Sequence, residues 1–69
     1  MSAPGPKLRI RGQDVPIVAH GYEVERYERD PHEGGGFGWR ILRGGKLEAV
    51  TTSRKGALDY VGREIYRRL

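Results

Sequence analysis

The sequence predicts an α+β fold: a three-stranded antiparallel sheet with one C-terminal helix packed on one face, and an extra N-terminal hairpin as a candidate extension. Three observations carry that expectation. Residues 37–43 (FGWRILR) alternate Phe37, Trp39 and Ile41 with Gly38, Arg40 and Leu42, and a Gly-Gly pair joins them to a returning run, KLEAVTT. Residues 53–69 then change period, with Ala57, Leu58, Val61, Ile65 and Leu69 recurring along one helical stripe. At 69 residues without a cysteine, the chain has room for one domain and no disulfide or thiolate metal site to brace it.

Residues 1–7 (MSAPGPK) contain Pro4, Gly5 and Pro6 and nothing to bury, so a leader is expected there, with a single β-β-β-α domain over 8–69. Residues 8–11 alternate apolar and basic, Gly12-Gln13-Asp14 reads as a turn, and residues 15–19 form a second arm. Pro16 would confine that arm to an edge, because it lacks a backbone donor. In residues 22–29 alternation puts Tyr22 and Val24 on one face and Tyr27 on the other. A bulge near Glu25-Arg26 would be needed for Tyr27 to reach the core; without one Tyr27, like Tyr66, is a candidate for an exposed contact. Residues 30–36 (DPHEGGG) are a loop: Asp-Pro opens a turn and three glycines end any ladder.

Gly44-Gly45 suits a two-residue type I′ turn. In that register Leu42 faces Leu47, Arg40 faces Ala49 and Trp39 faces Val50. A three-residue turn would instead set Ile41 against Ala49. Ser53 is placed to cap the helix, and Leu58, Val61 and Ile65 are expected to bury against the sheet. Gly62, at the edge of the stripe, is expected where a strand comes close.

The formal net charge is +4 and the isoelectric point about 9.9, which favours a polyanionic partner. The charge is segregated. Residues 22–36 hold Glu23, Glu25, Glu28, Asp30 and Glu33 against Arg26 and Arg29, whereas residues 53–69 hold Arg54, Lys55, Arg63, Arg67 and Arg68 against Asp59 and Glu64. No run approaches the roughly 20 apolar residues of a membrane span and no secretory segment is evident, so a cytoplasmic protein is expected.

The run Tyr22-Glu23-Val24, then Gly38-Trp39-Arg40-Ile41, Gly44-Gly45 and the helix start Ser53-Arg54-Lys55-Gly56-Ala57 resembles the YegP-like small bacterial domains of unknown function. That resemblance covers residues 21–69 and implies a strand-strand-strand-helix fold. The same order of elements is similar, in architecture alone, to the arm-binding DNA-binding domains of integrases, which lay a sheet in the major groove.

With Trp39 and Ile41 facing the helix, Arg40 is expected on the open sheet face, with Arg43 and Lys46 beside the turn and Gly38, Ala49 and Thr51 around it. Together with Arg54 and Lys55 these form the candidate nucleic-acid-binding set, since Arg can pair with phosphate or with guanine edges. The competing account is that arginines keep an exposed sheet soluble. Arg67 and Arg68 are explained by the negative end of the helix dipole. No metal site, cofactor or small-molecule substrate is expected: Asp30, His32 and Glu33 have no known ligand spacing, and Gly34-Gly35-Gly36 leads into a strand rather than a helix. No nucleophile sits with a base and an acid, so the chain is read as a non-catalytic binding module rather than an enzyme. DNA is the favoured partner. The alternative is a phage-like accessory or inhibitory protein, or a homodimer, making contact through an edge strand or the acidic Gly-rich loop.

Overall fold

The computed structural model describes residues 5–69 and shows an α+β fold of two small sheets and one helix. Strands β1 (Lys7–Ile10) and β2 (Gln13–Pro16) pair as a hairpin, a 3-10 turn follows at Ile17–His20, and β3 (Tyr22–Glu28), β4 (Phe37–Arg43) and β5 (Lys46–Thr51) form the main sheet in the order β3-β4-β5. Helix α1 (Arg54–Arg68) closes the chain. Residues 1–4 of the expected leader lie outside the described residues. Lys7 already pairs with Pro16, and the Pro6 carbonyl accepts from the Ile17 N–H at 3.1 Å.

The N-terminal hairpin turns at Arg11-Gly12 rather than at Gly12-Gln13-Asp14. Ile10 pairs with Gln13, and Arg11 and Gly12 have φ of 51° and 78°, the left-handed pair that a two-residue type I′ turn requires. Arg11 is the residue that the sequence reading did not credit with a positive φ. The second arm stops at Pro16, where the chain coils instead of extending to residue 19.

β3 and β4 pair without interruption, from Tyr22 opposite Arg43 to Glu28 opposite Phe37. There is no bulge at Glu25-Arg26, and Tyr27 stays on the open face, as its alternation with Tyr22 and Val24 implies. Its ring lies over Gly38, where an added Cβ would come within 2.9 Å of a Tyr27 ring carbon. The missing side chain at residue 38 makes a seat for the aromatic ring, which removes the need to bring Tyr27 to the core.

The irregularity lies in β5 instead. Arg43 pairs with Lys46 across Gly44-Gly45, and Leu42 faces Leu47, as a two-residue turn dictates. Glu48 is then bulged out, so that Ile41 faces Ala49, Arg40 faces Val50 and Trp39 faces Thr51. The pairings expected for Arg40 and Trp39 are each displaced by one residue. Ala49 can thereby pack under the helix, and Val50, 48% exposed, turns to the open face.

The core consists of Ile10, Ile17, Tyr22, Ile41, Ala57, Val61 and Ile65. Complete burial of each aliphatic side chain contributes roughly 1.5 to 3 kcal/mol. The buried stripe of α1 recurs every four residues, at 57, 61 and 65. Leu58 is only partly buried and Leu69 is 54% exposed, so two of the expected positions fall off it. Ser53 caps α1 as expected, its hydroxyl accepting from the Gly56 N–H at 3.0 Å. Gly62 does face a strand, β1: a Cβ there would lie 3.4 Å from Leu8 Cδ1, an ordinary contact.

Candidate nucleic-acid interface

The five residues singled out from the sequence are distributed over three places. Arg40 projects from the open sheet face, where its guanidinium stacks on the Tyr27 ring at 4.5 Å and its Nε lies 3.7 Å from Glu25. That Nε is buried without a hydrogen-bond partner. The neighbours on this face are not the expected Ala49 and Thr51 but Leu42, Leu47 and Val50, together with Glu23 and Glu25 from β3, because the bulge at Glu48 turns β5 over. One arginine engaged by a carboxylate among apolar side chains gives this face little attraction for phosphate.

Arg43 and Lys46 are an opposed pair beside the Gly44-Gly45 turn, and share the helix side of the sheet with Ile41 rather than the side of Arg40. Arg54 and Lys55 begin α1 at the other end of the sheet, just after Thr51, which pairs with Trp39. Seven strand residues and fifteen helical residues each span about 20 Å, so the two pairs sit at opposite ends of the molecule.

What the hairpin end gains comes from elements that the sequence reading set aside. The last turn of α1 brings Arg68 within 5.6 Å of the Tyr22 ring centroid, Arg43 lies 5.8 Å from the same centroid, and Arg68 also donates to the Tyr22 hydroxyl. Tyr22 is completely buried, so it is a fixed neighbour for both guanidinium groups. The hydrogen bond to the Tyr22 hydroxyl pushes the Arg68 pKa above its usual value, against the opposing effect of partial desolvation. The β1–β2 turn reaches the same helix end, where the Arg11 guanidinium lies 5.0 Å from the Tyr66 ring centroid. The Gly44 N–H bonds to the Gly21 carbonyl at 2.9 Å, and this seam lines a groove with His20, Arg43, Lys46 and the carboxylate of Glu48 along it.

Among the described residues, ion pairs join Arg9 to Asp14, Arg40 to Glu25, and both Arg67 and Arg68 to Glu64, whereas Arg11, Arg43 and Lys46 have no carboxylate within salt-bridge reach. Arg54 and Lys55 at the other end also have no ion pair among the described residues, so salt bridges do not distinguish the two ends. The loop over residues 30–36 lies at the opposite end and is tied up internally. Asp30 accepts from the His32 N–H at 2.8 Å, Glu33 accepts from the Tyr27 hydroxyl at 3.1 Å, and Arg29 donates to the Glu33 carbonyl.

Arg11 was legible in principle, since an Arg-Gly pair between two alternating runs marks a hairpin tip. Arg68 was not, because its role depends on where Tyr22 lies in the fold. No group of three His, Cys, Asp or Glu side chains among the described residues could hold a metal ion, and no described helix is long and apolar enough to cross a membrane. No protein-family model, curated protein or solved structure matches this chain.

Proposed function

We propose that the protein is a non-catalytic binding module that holds the phosphate backbone of nucleic acid, DNA in the first instance, against the end carrying Arg43, Lys46, Arg11 and Arg68. The observation that carries this reading is that Arg43 and Arg68 both lie by the Tyr22 ring, Lys46 is paired with Arg43, and Arg11 lies by Tyr66 in the last turns of the same helix, three of the four without a carboxylate partner. Arginines held against rings are partly ordered beforehand, so less side-chain freedom is lost when a phosphate is bound. A cytoplasmic site of action belongs to the same proposal.

Of the residues expected from sequence, Arg43 and Lys46 remain in this interface. Arg54 and Lys55 lie too far away to share it, and Arg40 projects from the opposite face of the sheet. Binding through phosphates is sequence-independent and weakens as salt displaces it. Contacts to three or four phosphates give a slope of about −3 to −4 in log affinity against log salt on duplex DNA. Fluorescence anisotropy of a labelled duplex between about 50 and 200 mM salt measures this slope. Absence of binding at the low end, or an affinity indifferent to salt, overturns the proposal.

A further inference from the structure

We propose that the outer edge of β3 is a second binding site, which accepts an extended peptide of alternating apolar and basic residues as a fourth, antiparallel strand of the main sheet. The Gly44 N–H bonds to the Gly21 carbonyl and the Arg29 N–H to the Gly36 carbonyl, so the odd-numbered residues of β3 turn their backbone groups towards β4. Those of Val24 and Arg26 consequently face away from the sheet, and β3 pairs with no other described strand. The two edges of the sheet differ. β5 is broken by the bulge at Glu48, which blunts an edge, whereas β3 is regular over seven residues, the form of edge that invites pairing.

The side chains along this edge define the occupant. On the helix side, a groove of about 350 Å³ runs beside β3 between Pro6, Ile17, Val18 and Val24, and Val18 is 54% exposed. Further along, Phe37 is 55% exposed beneath the Arg26 guanidinium. On the open side the same edge carries Glu23, which has no ion pair among the described residues, and Glu25, which is shared with Arg40 at 3.7 Å. A strand laid antiparallel on β3 would put one set of alternate side chains over Val18 and Val24, and the other beside the two carboxylates. Apolar residues suit the first set, Lys or Arg the second. A second copy of β3 does not fit, because its own Glu23 and Glu25 would meet this acidic row.

The site is independent of the nucleic-acid interface and can fail without it. The probe is a synthetic octapeptide alternating valine and lysine, titrated by calorimetry against the whole protein. In an antiparallel pairing with valines on the helix side, the valine N–H groups bond to Val24 and Arg26, and the lysine N–H groups point away. N-methylation of the valines should therefore weaken binding at least tenfold, and N-methylation of the lysines should leave it within about twofold. Glu23→Gln with Glu25→Gln, checked for folding by circular dichroism, should weaken the unmodified peptide at least threefold. No binding of the unmodified peptide, equal effects of the two N-methyl series, or loss confined to the lysine series overturns the proposal.

Discussion

Tyr22 is the residue at which stability and the candidate interface meet. Its ring is part of the core, and its hydroxyl receives Arg68 from 46 positions along the chain. Tyr22→Phe keeps the ring and removes the hydroxyl, which should cost about 1 kcal/mol in urea unfolding. An unchanged midpoint would show that the Arg68 contact contributes nothing. Alternation placed Tyr22 on the core face correctly, because period two is a local property of extended backbone. The Arg68 contact was illegible, since it depends on the distance between two remote elements. Gly62 shows a further limit of local reading. Its position on the edge of the helical stripe suggested close approach to a strand, but the 3.4 Å left before Leu8 Cδ1 is enough for a methyl group. Gly62→Ala should therefore stabilise by about 0.5 to 1 kcal/mol through helix propensity, read as a higher thermal midpoint; a lower midpoint would mean that the helix and β1 cannot accommodate it.

At the scale of elements, the helix, the Gly44-Gly45 turn and the three-strand order followed from pattern alone. Each depends on neighbours within a few residues: Ser53 capping Gly56, two glycines at positive φ, alternation within a strand. The bulge in β5 was not foreseen, because two remote contacts decide where the sheet is irregular. Tyr27 had a seat at Gly38, and Ala49 rather than the larger Val50 had to fit under α1. The same two elements set a pH dependence. The Tyr27 phenol titrates above its ordinary 10.0 because of partial desolvation and then its hydrogen bond to Glu33, and Tyr60 does so because of partial desolvation and then the charges of Glu48 and Glu64. A raised folded-state value means that the folded chain holds these protons longer than the unfolded one. Stability from them is complete below about pH 10 and is lost as pH rises through the raised values. Chemical unfolding above pH 10 should show that decline, and Tyr27→Phe with Tyr60→Phe should flatten it; a decline identical in the double variant would assign it to other groups.

Across the whole molecule, the segregation of charge seen in the sequence is kept only in part, because Arg54 and Lys55 lie at the same end of the main sheet as the acidic loop. The acidic loop over residues 30–36 occupies one end of the main sheet, and Arg43, Lys46, Arg68 and Arg11 occupy the other. Arg40 was assigned to the interface with Arg43 because both flank the same stretch of β4, yet their odd spacing puts them on opposite faces. Arg54 and Lys55 are close to Arg43 in sequence order of elements but a helix length away in space. The most direct test compares two double variants in anisotropy titrations with duplex DNA at low salt. Arg43→Ala with Lys46→Ala should lower affinity and reduce the salt slope by about 2, whereas Arg54→Ala with Lys55→Ala should leave the slope within about 0.5 of the parent. Equal losses in the two variants, or a loss confined to Arg54 and Lys55, would contradict an interface at the hairpin end.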